Sequence, residues 1–214
     1  MFERATVRII SAGGNAKVST DWHIQGQEAA AFRQTFFQEG KRAEILTAYI
    51  NALSAGSKLL DFTFNDLTDR QVPVQVKTTF EAMRFARKVA DKLVIRPKQS
   101  FQMTARYTAR DIRHYDIFLR YPNTVTSRET YLIPEGFAVA ALPKPAEMDT
   151  PWMRYQLKST QEDRAVTVEK TLITKVVSIR REDYSDLRRF CYEVDQHERE
   201  TLELVPSSGD AGAK

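Results

Sequence analysis

Alternation of apolar and polar positions dominates the chain. Tyr115, Ile117, Leu119 and Tyr121 alternate with Asp116, Phe118 and Arg120 until Pro122-Asn123 breaks the run. Thr124 to Ile133 is rich in β-branched and aromatic residues and stops at Pro134-Glu135-Gly136, after which a third apolar run leads to Leu142-Pro143. A period of two bounded by Pro, Asn and Gly predicts antiparallel strands with one buried face. The stretch from Asp116 to Pro143 is thus the expected organising centre.

The same period opens the chain. Ala5 to Ile10 and Ala16 to Ile24 predict a hairpin, with Gly13, Gly14 and Asn15 supplying the positive φ of its loop. After Gly26 the spacing turns helical. A helical pair is expected over about 27–54, first with Ala29, Phe32 and Phe36, then with Ile45, Leu46, Tyr49, Ile50 and Leu53 on one stripe. Strands resume at Leu59 to Phe64 and at Val72 to Val76, where Pro73 points to an edge strand because it cannot donate to a ladder. Phe80 to Ala90 fits either period, and Leu93-Val94-Ile95 is a further strand. Leu142 to Pro151 reads as an irregular link, Met153 to Leu157 as a strand, and Val166, Val168 and Leu172 as the start of a long strand expected to extend as far as Ile179. Tyr184, Leu187, Phe190, Cys191 and Val194 lie at helical spacing behind Asp183, a natural N-cap. Leu202 and Leu204 suggest a last strand.

The fold class that follows is mainly β. It is antiparallel and β-sandwich-like, with a helical pair after the first hairpin and one helix near the C-terminus. Two β-rich halves, 1–97 with the helical insertion and 98–206, followed by a disordered tail at 207–214, is the preferred division; one continuous sandwich is the alternative.

Composition narrows the chemistry. The 214 residues carry 32 basic and 28 acidic side chains, a mild excess with the signs interspersed. Arg84 to Lys98 is the densest basic stretch and reads as a charged strand edge rather than a phosphate track. No apolar run has the length of a membrane span. The lone Cys191 rules out an internal disulfide framework.

No catalytic constellation emerges. Cys191, Asp195 and His197 are close in sequence, but on a helix His197 falls about 240° away from Cys191 and cannot take its proton. His23, His114 and His197 have no zinc-ligand spacing, and Asn65 to Asp69 lacks a calcium loop's closing Glu. No cofactor or metal is expected.

One recurring pattern is specific enough to compare. It comprises Arg113, Tyr-Asp-Ile-Phe-Leu-Arg-Tyr-Pro at 115–122, Ile133-Pro134-Glu135-Gly136, Leu142-Pro143 and Tyr184-Ser185-Asp186-Leu187-Arg188-Arg189-Phe190. Asn65 to Asp69 and Val94 to Pro97 add to it. The set resembles the C-terminal region of bacterial transglutaminase-like proteins that open with a β-sandwich domain of unknown function. The likeness covers most of residues 1–206. It implies that Arg113, Pro134, Gly136, Pro143, Tyr184 and Phe190 set shape, and that the Cys-His-Asp core of that family lies outside this chain.

A non-catalytic accessory module of such a protein is therefore the leading expectation, with a protein partner or the transglutaminase-like core bound to it. A free-standing protein- or glycan-binding β-module is the alternative, using the Pro73 edge or the aromatics Trp22, Tyr107, Tyr121 and Trp152. Nucleic-acid binding ranks last and is not expected. The resemblance implies a periplasmic or cell-surface location if the chain is part of an exported longer protein. A cytoplasmic one follows if Met1 is the true start.

Overall fold

The computed structural model describes residues 2–9, 13–97 and 101–207. Part of the first hairpin's loop, the stretch after Pro97 and the tail from Ser208 lie outside the described residues. Strand outweighs helix, 43% to 24%, so the protein is mainly β as its patterning requires.

The opening hairpin is β1 (Phe2–Ile9) and β2 (Ala16–Ile24). The helical pair is α1 (Gly26–Thr35) and α2 (Arg42–Leu53). Next come β3 (Lys58–Phe64), β4 (Val74–Ala82), β5 (Arg87–Val89) and β6 (Lys92–Ile95). A five-residue helix, α3 (Met103–Tyr107), precedes β7 (Ile117–Phe118), β8 (Asn123–Leu132), β9 (Phe137–Ala141) and β10 (Ala146–Asp149). The chain ends with β11 (Met153–Glu162), β12 (Ala165–Thr174), β13 (Ser178–Ile179), α4 (Tyr184–His197) and β14 (Leu202–Pro206).

Eight strands form one sheet in the order β10-β11-β12-β8-β1-β2-β4-β3. Neighbours are antiparallel except β1 and β8, which run parallel from Phe2 opposite Thr126 to Arg8 opposite Leu132. A smaller sheet has the order β5-β6-β14-β9. Strands from both sides of residue 98 pair in each sheet.

The large sheet buries one face. On β2, Ala16, Val18, Thr20, Trp22 and Ile24 point inward while their neighbours face water, and β12 keeps the same rhythm. The open face carries polar ladders, with Thr126 opposite Thr171, Thr130 opposite Thr167 and Arg128 paired to Glu169. Three covers sit on the buried face. The small sheet packs Leu93, Ile95, Leu202 and Leu204 against Val18, Phe80, Tyr131 and Val168. Helices α1 and α2 bring Phe36 and Leu46 onto Trp22 and Val76. Helix α4 lays Leu187, Phe190, Cys191 and Val194 over Tyr155 and Leu157. This is the sandwich logic of two apolar faces closing on each other.

Several local expectations need correction. Pro73 does not mark an edge: β4 lies between β2 and β3, and Pro73 stands just before its first paired residue. The edge strand at this end of the large sheet is β3, where a bulge between Leu59 and Asp61 turns Leu60 outward. Phe80 to Ala90 is strand and turn, since pairing with β2 outweighs the helical spacing. The link 142–151 contains β10. Asp183 precedes α4 without a side-chain capping bond; its carboxylate takes Arg180 Nε at 3.3 Å instead. The run 115–121 keeps its alternation, with Ile117 and Leu119 buried, yet it pairs over two residues only.

Candidate partner surface

That sparsely paired run is where the surface chemistry gathers. Its polar start, Arg110-Asp111-Ile112-Arg113-His114, offers no apolar face for a sheet, so side chains tether it. Arg188 holds Asp111 through both carbonyl and carboxylate, at 2.9 and 3.0 Å. Tyr184 Oη donates to the Arg110 carbonyl, and Asp116 Oδ1 accepts from the Arg181 backbone N–H at 3.0 Å. Leu119 N–H donates to the Val177 carbonyl at 2.7 Å, which carries the segment along β13.

Tethered this way, the segment turns large apolar side chains to solvent. Ile112 is 71% exposed, Tyr115 82% and Phe118 82%, with Val177 beside them at 52%. Isolated exposed apolar residues need no account, but three on one tethered strip, with a fourth on the adjoining segment, are the kind of surface that monomers seldom leave uncovered.

Beside the strip opens a polar cleft of about 710 Å³. Helix α1 supplies Glu28, the end of α3 supplies Arg106 and Tyr107, and the strip supplies Arg113, Phe118, Arg120 and Tyr121. Arg106 lies over the Tyr107 ring at 5.2 Å and Arg113 over the Tyr184 ring at 5.9 Å. Tyr121 Oη donates to Glu28 Oε1 at 2.8 Å. That carboxylate pushes the Tyr121 hydroxyl above its ordinary pKa, while Arg120 and Arg106 pull the other way.

A larger groove of about 1200 Å³ lies between α1 and the 65–70 turn, lined by Arg33, Phe37, Arg42 and Arg70. Two of its arginines are already engaged. Arg33 spans the carbonyls of Asp69 and Val72 at 2.9 and 2.6 Å, and Arg42 binds the Phe36 carbonyl and Glu39. They hold the groove's walls. The turn itself is closed by Asp66 and Asp69 accepting backbone N–H groups at 2.8 Å, as Asx turns do.

The residues singled out from the sequence separate. Arg113 and Tyr121 meet in the cleft, with Tyr184 beneath Arg113. Trp22 is buried at 3% exposure, edge-on to Tyr49 with ring centroids 5.0 Å apart, so it is no part of a surface. Trp152 and Tyr107 are half-buried against the α4 core. Pro134 and Gly136 make the corner before β9, Gly136 at φ +77° with its carbonyl accepting from Ser207 N–H at 2.8 Å. Pro143 is buried, and Phe190 belongs to the α4 core.

The tempting thiol arrangement does not assemble. Cys191 is buried and its thiol is pushed up to about 12, chiefly by that burial. Asp195 is occupied, its two oxygens accepting the Met103 and Thr104 backbone N–H groups at 2.8 and 2.9 Å. Among the described residues no group of three or more His, Cys, Asp or Glu could hold a metal ion, and no helix is long and apolar enough to cross a membrane.

Sequence reading missed two features. The alternation over 115–121 predicts a core strand, but alternation alone does not say whether a partner strand exists. Lys170 and Glu198 are both buried, and Lys170 falls on the inward rhythm of Val166, Val168 and Leu172. That rhythm was the available signal.

A family model described as a domain of unknown function with a solved structure (DUF3858) matches residues 91–204, more than half of the chain. No curated protein and no solved structure matches it.

Proposed function

The chain belongs to the DUF3858 family, and from that premise we propose that it is a non-catalytic interaction module. Its partner is the papain-like core of a bacterial transglutaminase-like protein, which it positions or regulates. The observation that carries this reading is the tethered strip with Ile112, Tyr115 and Phe118 exposed beside an arginine-lined cleft. Aromatic residues and arginine are the types that interfaces concentrate, and here they are displayed on a rigidly held segment. The resemblance of Arg113, the 115–122 run and the 184–190 helix to the C-terminal region of such proteins supplies the partner's class. A periplasmic or cell-surface location goes with this reading.

The test is co-elution of the purified chain with a purified papain-like transglutaminase core from the same genome. Co-elution lost in Tyr115→Ser/Phe118→Ser and kept in Met83→Ser, a change at an exposed apolar site elsewhere, supports the role. Co-elution that both variants keep overturns the strip as the docking surface. Peptide-hydrolysing or crosslinking activity in the isolated chain, abolished by Cys191→Ala, overturns the non-catalytic role.

A further inference from the structure

We propose that the cleft beside the exposed strip receives a carboxylate-rich segment of the protein partner, with Asp or Glu side chains entering among Arg106, Arg113 and Arg120. This rests on the interaction reading above and names the chemistry of what docks.

Charge balance is the first argument. Three guanidinium groups line the cleft against a single carboxylate, Glu28, one of whose oxygens already accepts the Tyr121 hydroxyl. Several arginines elsewhere find a carboxylate within the chain: Arg128, Arg154, Arg188 and Arg189 lie 2.5, 2.5, 3.0 and 2.8 Å from Glu169, Glu147, Asp111 and Asp186. Among the described residues no such ion pair forms at Arg106, Arg113 or Arg120. Walls of one charge sign around a concave space concentrate the field and draw in the opposite charge.

Preorganisation is the second. Arg106 and Arg113 lie over the Tyr107 and Tyr184 rings, which restrains two of the guanidinium groups. A planar fork held ready matches a carboxylate's two oxygens, and less side-chain entropy is lost when it binds.

Shape is the third. A space of about 710 Å³ suits a few side chains rather than a nucleic-acid duplex, whose recognition needs cations spread along a track. Phe118, on the rim and exposed, gives an apolar residue flanking the acidic ones a place to rest.

The experiment is fluorescence anisotropy of a fluorescein-labelled hexaglutamate peptide titrated with the full chain. Saturable binding is expected, falling about tenfold or more as salt rises from about 20 to about 200 mM. The Arg113→Gln/Arg120→Gln variant should lose about tenfold or more in affinity. Arg120→Gln alone, which leaves the stack on Tyr184 intact, should lose a smaller but measurable part. Arg87→Gln/Lys88→Gln removes the same charge from β5 and should bind like the parent chain. Equal weakening in that control would reduce the effect to net charge and overturn the proposal. A hexathymidylate that binds as tightly as hexaglutamate, with the same dependence on Arg113 and Arg120, would overturn it in favour of nucleic acid. Hexaglutamate binding is read on the chain by itself, with no core present. Co-elution with the core can therefore fail while the acidic site stands, and hexaglutamate binding can fail while co-elution stands.

Discussion

Lys170 Nζ lies 2.9 Å from Glu198 Oε2, and the two side chains are 2% and 3% exposed. Tyr155 Oη donates to the other oxygen of Glu198 at 2.6 Å. A strand of the large sheet is thus joined by charge to the residue just past the end of α4, beneath the helix. Burying both ions costs desolvation that their attraction only partly returns, so the pair acts mainly by fixing how helix and sheet meet. Removing one partner takes from the other a counter-charge that it is buried against. Lys170→Met or Glu198→Leu should each cost about 3–5 kcal/mol, whereas the double variant recovers most of that loss. Urea unfolding of the four proteins measures the cycle, and additive losses would show that the pair is not coupled.

Cys191 should be silent to thiol reagents in the folded chain. Its pKa is raised from 9.0 to about 12, mainly because burial disfavours the thiolate. Labelling at pH 8 should proceed only after unfolding. The raised value also fixes a pH dependence. The contribution is fully present below about 9 and is lost as pH climbs toward about 12, because the unfolded chain ionises first. Tyr155, raised chiefly by burial, adds to stability with the same sign. Melting temperature against pH should fall above about 9, and less steeply in Cys191→Ala.

Gly14→Ala should destabilise the first hairpin. Gly14 sits at φ +87°, and a Cβ there would lie 1.9 Å from the Ala86 carbonyl oxygen. The turn after β4 cannot retreat freely, because Ala86 N–H donates back to the Gly14 carbonyl at 2.9 Å. A loss of about 2 kcal/mol or more is expected in chemical denaturation. Gly40→Ala, with open space around it, is the matched control.

The chain should unfold in one step. The parallel ladder between β1 and β8 and the small sheet both tie residues before 98 to residues after it. Trp22 and Trp152 fall on opposite sides of that point, so Trp22→Phe and Trp152→Phe leave one reporter on each side. Coincident fluorescence transitions are expected. Separated ones would mean two independently folding halves.

The hairpin β1–β2, the strands β8, β11 and β12, the stripe of α2 and the apolar face of α4 are legible in the sequence. Each is set by a local period that side-chain burial must follow. Legible for the same reason was the separation of Cys191 from His197, since the angle between positions 191 and 197 on a helix needs no tertiary information. Of the candidate site, Arg113 and Tyr121 could be singled out, but not the fact that they line one cleft. Their neighbours Glu28 and Arg106 come from distant parts of the chain.

Tertiary structure decided the rest. Whether Tyr115 to Tyr121 becomes a core strand or a displayed strip depends on which partner strand is available, and β13 offers two residues only. Whether Pro73 marks an edge depends on β3 pairing outside β4. Whether Lys170 faces water depends on α4 closing over it with Glu198. Periodicity records which side of an element is apolar, because hydrophobic burial acts residue by residue. Pairing order, edges and charge partners arise between segments far apart in sequence, and local pattern carries no term for them.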